Sequence, residues 1–126
     1  MSPRFVPATV HELARVPLFA GVPGETLLEL SQAMRREQVA PGAAVVREGD
    51  DGDRFYVVLN GVLAVSQRSL GPRSVLRPGD TFGEVALTMD VPRTASVRAL
   101  TPAVLASCDR ETFDRYVRPL FAEPDS

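Results

Sequence analysis

Lysine is absent from this chain, and all 14 basic residues are arginine. Every cation is therefore a planar five-donor fork rather than a compact ammonium. Tryptophan is absent too. Cys108 is the single cysteine and His11 the single histidine. One cysteine closes no disulfide within the chain, and the pair cannot assemble a zinc site of the His/Cys type. A Ser-His-Asp or Cys-His arrangement would have to use His11, near the start of the sequence, which sets nucleophilic catalysis aside. No apolar run approaches the roughly 18 residues of a membrane span; the longest lie around Ala43–Val46 and Phe55–Leu59. The opening residues also lack the roughly 7–15-residue apolar core of a signal peptide, so the expected location is cytoplasmic. With 16 acidic residues the net charge is −2. A nucleic-acid partner would ask for a basic face, and none is expected.

What is present is ordinary globular material. The chain has 126 residues, 44% of them hydrophobic. That predicts one domain, able to bury about two-thirds of its unfolded surface without a staple. Residues 1–8, with two prolines, read as a loose arm, 9–120 as the domain and 121–126 as a tail. Thr9 followed by Glu12 is a capping box, predicting a helix from Val10 to about Val16 that stops at Pro17. A second helix starts near Pro23-Gly24-Glu25, with Leu27, Leu30 and Met34 on its buried face.

After Arg36, glycine and proline recur between β-rich runs: Ala44–Arg47, Arg54–Leu59, Val62–Gln67, Arg73–Leu76, Thr94–Ala99 and Ala103–Cys108. Short strands at this spacing predict a sandwich or barrel. Asn60-Gly61 predicts a tight hairpin. Asp109 is a good N-cap for a last helix carrying Phe113, Tyr116 and Val117 on one stripe, with Pro119 and Pro124 discouraging its continuation. The acidic cluster Glu48, Asp50, Asp51 and Asp53 lacks calcium-loop spacing and reads as turn chemistry.

One stretch, Thr81 to Val97, breaks the strand rhythm. Gly83 permits close backbone approach. Glu84, Ala86, Leu87 and Met89 favour a short helix whose first amides are free to face an anion. Pro92 sets the return path, and Arg93 and Thr94 follow with a bidentate fork and a hydroxyl. These groups describe a phosphate site. Glu84 accepts hydrogen bonds only, so beside a phosphate it makes sense if it points at a sugar hydroxyl. Phosphate and ribose together mean a nucleotide. A triphosphate would require a P-loop, a lysine or a magnesium shell, and one arginine suits a single negative charge. The plainer readings are an Arg93–Glu84 surface ion pair, Glu84 as a helix-start charge favoured by the dipole, Thr94 as strand filler, Cys108 as a small apolar core residue and His11 as a solvated side chain.

These residues resemble the cyclic-nucleotide-binding domains of catabolite activators, cyclic-AMP-dependent kinase regulatory subunits and nucleotide-gated channels. The matching motif is Phe82-Gly83-Glu84-x-Ala86-Leu87 followed by Pro92-Arg93-Thr94-Ala95-Ser96-Val97, the family's phosphate-binding cassette. Arg47-Glu48-Gly49-Asp50-x-Gly52-Asp53-x-Phe55-Tyr56 and Pro17-Leu18-Phe19-x-Gly21 match as well. The resemblance implies a mainly β fold: an antiparallel β-roll or jelly roll (double-stranded β-helix) with flanking N- and C-terminal helices and a short internal phosphate-binding helix. It implies that Glu84 accepts the ribose 2′-hydroxyl, that Gly83 and the amides of Val85 and Ala86 meet ribose and phosphate, and that Arg93 pairs with the phosphate. Thr94 would contact phosphate or a syn guanine and suits either cAMP or cGMP; Leu76 would pack against the base. The implied ligand is cAMP or cGMP, with no cofactor, no metal and no catalysis. The implied role is regulatory, passing a conformational change to an effector in the same or a partner chain. Homodimerisation is compatible with it. The family's lid helix would begin where Pro119 and Pro124 fall, so a domain without that lid is expected. The alternatives are a ligand-independent interaction or dimerisation module of the same fold, and a cupin-like metal enzyme, which a single histidine disfavours.

Overall fold

The structure is a computed structural model that describes residues 6–121. Thr9 opens the first helix, α1 (Val10–Ala14), through the reciprocal capping box: its hydroxyl accepts the Glu12 N–H at 3.1 Å, and Glu12 Oε1 accepts the Thr9 N–H at 3.0 Å. Pro17 then starts a single 3-10 turn, Pro17–Phe19, its missing N–H costing nothing at that position. Helix α2 (Gly24–Ala33) buries Leu27 and Leu30, and Met34 beyond it is fully buried. Of the arm expected over residues 1–8, residues 1–5 lie outside the described residues. The remainder runs along the first strand: Ala8 N–H donates to the Met34 carbonyl and Arg36 N–H to the Val6 carbonyl, each at 2.8 Å.

Among the described residues, eight strands form two four-stranded antiparallel sheets. One has the order β1 (Arg35–Val39), β8 (Ala103–Asp109), β3 (Arg54–Asn60), β6 (Thr81–Phe82). The other has the order β2 (Ala44–Val46), β7 (Ser96–Ala99), β4 (Leu63–Gln67), β5 (Gly71–Leu76). Period-two alternation sorts the side chains of the first sheet. Tyr56, Val58 and Leu105 face the second sheet, meeting Leu63, Val97 and Ala99. Phe55, Val57, Ala106 and Cys108 face the helices, packing with Leu13, Phe19, Leu30 and Phe113. This is the expected β-roll between helices. Among the described residues no helix is long and apolar enough to cross a membrane.

Three local expectations change. The strand β1 was not among the predicted runs: Arg35-Arg36-Glu37-Gln38-Val39 is too polar to read as one, yet it pairs with β8 from Arg35↔Ser107 to Val39↔Ala103. Asn60-Gly61 does turn, with Gly61 at φ +88. It joins strands of different sheets rather than a hydrogen-bonded hairpin, since β3 pairs with β6 and β8, and β4 with β5 and β7. A Cβ on Gly61 would overlap the Pro102 carbonyl oxygen, so glycine also lets two corners of the roll touch. Finally, the last helix does not stop at Pro119. It begins at Arg110–Thr112, widens to a π turn over Phe113–Val117 and ends at Arg118–Phe121, together α4. In the widened turn Arg118 N–H reaches back to the Phe113 carbonyl. That shift of the bonding pattern lets the helix pass a residue with no N–H to give. Asp109 caps it as expected, accepting the Thr112 N–H at 2.8 Å.

Candidate functional site

Between β6 and β7 the chain leaves the sheets for a short helix, α3 (Glu84–Thr88). Its N-cap is Gly83 at φ +100, a left-handed conformation that side chains rarely adopt; glycine is required there. A Cβ at Gly83 would also stand 2.8 Å from the Arg54 carbonyl oxygen and 2.9 Å from an Arg93 guanidinium nitrogen. The helix ends at Met89, whose N–H returns to Val85, and Asp90 at φ 53 turns the chain back toward Arg93.

Arg93 is the centre of the arrangement. Its residue is only 7% exposed, rare for an arginine. Its backbone is held on both sides by the β2–β3 loop: Arg93 N–H donates to Asp50 O, and Gly49 N–H donates to Arg93 O, each at 2.8 Å. Its guanidinium donates through Nη1 to Gly83 O at 3.3 Å and through Nη2 to Arg54 O at 2.8 Å. Both acceptors are neutral carbonyls. They orient the fork without neutralising it, and only two of its five N–H groups are used. The guanidinium carbon lies 5.9 Å from the centroid of the Tyr56 ring, which stacks on Phe82 at 4.8 Å and 8°. Burial draws the Arg93 pKa below its ordinary value, while Tyr56, Asp53 and Glu84 act in the opposite direction. The group still carries its charge.

A cleft of about 160 Å³ opens in front of Arg93. Its walls are Gly83, Glu84, Val85 and Ala86 from the start of α3, Arg93, Thr94 and Ala95 from the return, and Val46, Val65, Thr81, Phe82 and Val97 from the strands. The first amides of α3 have no partner within the helix. Thr94 is fixed by Gln67, whose Nε2 donates to the Thr94 carbonyl at 2.9 Å. Glu84 Oε2 is buried and bonded to nothing, a state that native structures rarely leave unexplained. Glu84 and Arg93 form no ion pair in the structure, while Glu84 does stand in the first turn of α3, where the helix dipole favours a carboxylate. The lining thus combines apolar strand residues with one cationic fork, the first backbone amides of α3 and the side chains of Thr94 and Glu84.

Six of the seven residues singled out in the sequence thus meet at one cleft: Gly83, Glu84, Val85, Ala86, Arg93 and Thr94. Leu76 does not. It sits opposite Leu63 in the β4–β5 ladder and packs on the core between the sheets. The sequence reading passed over Gly52, where a Cβ would stand 2.5 Å from Arg93 Nε, and the Tyr56–Phe82 stack. Gly52 was read only as a turn glycine, and Tyr56 only as part of a β-rich run; both lay inside the motif from Arg47 to Tyr56 without a role of their own. Among the described residues no cluster of His, Cys, Asp and Glu is suited to a metal ion. Cys108 is fully buried, and burial pushes its thiol up to about 12.

A β-roll that interrupts its strands with a glycine-capped helical turn, and returns from it through a buried arginine, is the architecture of a small-molecule-binding module. The chain belongs to the cyclic nucleotide-binding domain family, whose model matches residues 36–119. It is 37% identical over 109 residues to the cAMP-dependent protein kinase regulatory subunit of Yarrowia lipolytica, covering 86% of this chain and 29% of that protein. It is 31% identical over 117 residues to a cGMP-dependent protein kinase of Caenorhabditis briggsae, covering 88% of this chain and 16% of that protein. Among solved structures, the regulatory domain of Toxoplasma gondii PKA crystallised with cAMP superposes with a TM-score of 0.82 at 30% identity, over 88% of this chain and 44% of that one. The chain thus spans less than a third of the length of these curated relatives.

Proposed function

We propose that the cleft takes one purine cyclic monophosphate, cAMP or cGMP, and that the chain is the sensing domain of a regulatory protein. The observation that carries this is the buried Arg93 fork, oriented by two neutral carbonyls and left without a carboxylate to neutralise it. A singly charged cyclic phosphate matches that one positive charge. The α3 amides complete its coordination. Glu84 Oε2, already stripped of water, accepts a ribose hydroxyl. Thr94 at the mouth meets phosphate or base. In this reading binding is the whole chemistry, in keeping with the similarity to kinase regulatory subunits.

The output runs through α4. Arg110 Nη1 and Arg118 Nη2 both donate to the Leu87 carbonyl in α3, at 3.3 and 3.0 Å. Nucleotide binding that draws α3 inward biases the position of α4 by the ligand's differential affinity for the two arrangements. Similarity to kinase regulatory subunits makes a protein kinase catalytic chain the supported class of effector, in a cytoplasmic setting. Calorimetric titration with cAMP and with cGMP, with Arg93→Ala as control, tests the reading. Saturable binding lost in the variant is expected. Folded wild-type chain that gives no heat with either nucleotide would favour a ligand-independent docking module.

A further inference from the structure

Arg54, whose carbonyl accepts from Arg93, belongs by its side chain to a polar network across three strands. Ser107 is completely buried in β8, two residues beyond Leu105 and hence on the face turned toward the second sheet. Its hydroxyl accepts from Arg54 Nε at 3.2 Å and Arg54 Nη2 at 3.0 Å, and donates to Glu37 Oε2. Glu37 in turn lies 3.5 Å from the Arg35 guanidinium. Three adjacent strands, β1, β8 and β3, are thereby stitched together by side chains at one end of the sheet. Buried polar groups are costly unless they are paired, and here each partner satisfies the next.

The position of this network gives it a second consequence. Arg54 is the first residue of β3, directly after the Gly52-Asp53 loop, and strand ends are the parts of a sheet that open most readily. Yet the Arg54 carbonyl is the acceptor for Arg93 Nη2 at 2.8 Å, the shorter of the two bonds that orient the fork. A side chain clamped at Ser107 and Glu37 holds that carbonyl still. We propose that Arg54, fixed by Ser107 and Glu37, is the positioning residue for Arg93. It sets the aim of the phosphate fork through its own backbone oxygen without touching the ligand. This inference rests on the proposed role of Arg93 in the cleft.

The test must separate aim from general stability. Arg54→Met keeps the aliphatic stem and the carbonyl but removes the guanidinium. Its affinity for cAMP and cGMP is expected to fall about 3- to 10-fold, the scale of one misaligned hydrogen bond to a charged group. Affinity for adenosine and guanosine, which lack the phosphate, is expected to stay within about twofold, and Arg54→Lys to restore most of the loss. Ser107→Ala cuts the same clamp without altering Arg54 and should give the same split, which covers a failure of Arg54→Met to fold. In the ligand-free chain, exchange of the Arg93 guanidinium protons, read by NMR, should quicken at least about threefold in either variant. Cyclic nucleotide affinity within twofold of wild type, equal losses for nucleotide and nucleoside, or unchanged Arg93 proton exchange would each overturn the inference. Wild-type chain that binds neither cyclic nucleotide would overturn the proposed function instead, and the exchange measurement would still decide whether Arg54 holds Arg93.

Discussion

A Cβ on Gly52 would stand 2.5 Å from Arg93 Nε and 2.8 Å from the Cβ of Ala86. The β2–β3 loop therefore closes over the arginine with no room for a single methyl group. Gly52 has no positive φ to explain its identity; the close approach explains it. Gly52→Ala is expected to cost about 1–3 kcal/mol of stability, as overpacking does. It should also weaken nucleotide binding at least about tenfold by displacing the fork. Chemical denaturation and calorimetry on one preparation measure both. Unchanged affinity would show that Arg93 tolerates displacement.

Arg93→Ala should weaken cyclic nucleotide binding by roughly 30-fold to several-thousand-fold, from the approximately 2–5 kcal/mol lost when one partner of a buried charge pair is removed. Arg93→Lys should recover little. A lysine has the charge but not the planar fork that reaches Gly83 O and Arg54 O while still facing the cleft. Titration calorimetry decides. A loss below threefold in Arg93→Ala would remove Arg93 as the phosphate anchor.

Glu84 predicts an opposition between stability and binding. Its Oε2 is buried and bonded to nothing, so Glu84→Gln should raise the stability of the ligand-free chain, by about 0.5–2 kcal/mol as functional-site substitutions often do. The same variant should bind cyclic nucleotide more weakly than wild type, but less weakly than Arg93→Ala, because an amide oxygen still accepts from a hydroxyl. A thermal melt showing Glu84→Gln less stable would mean that the carboxylate already has a partner.

Cys108 gives the alkaline limb of the stability profile. Burial raises its pKa from 9.0 to about 12. The folded chain keeps a proton that the unfolded chain gives up, so the contribution is complete below about pH 9 and declines as pH rises toward 12, by at most about 1.4 kcal/mol per pH unit. Denaturation midpoints between pH 8 and 11 should fall less steeply in Cys108→Ala. The native thiol should resist alkylation at pH 8 until the chain unfolds.

The site was legible because its residues lie close together in sequence and each carries unusual chemistry. Gly83, Glu84, Arg93 and Thr94 break a strand pattern that would otherwise run on. Helix caps at Thr9 and Asp109 were legible because capping is local. What escaped was long-range. The inward charge of Glu37 disguised β1, since a carboxylate facing the interior makes sense only once Ser107 on another strand is in place. Asn60-Gly61 announced a turn but not which strands it would separate. Pro119 marked a helix end that the π turn before it made unnecessary. Gly52 was silent because its neighbour in space is 41 positions away along the chain, the difference between 93 and 52.

The Leu87 carbonyl, which receives both Arg110 and Arg118, belongs mechanically to two elements at once. In the proposed mechanism, anything that shifts the last helix pulls on α3 through the same two bonds. Linkage makes the exchange symmetrical. A load that loosens the grip on the nucleotide by a given factor is itself resisted, in equal measure, by the bound nucleotide. On that mechanism, the affinity of the domain for its ligand depends on the mechanical state of the last helix as well as on the cleft.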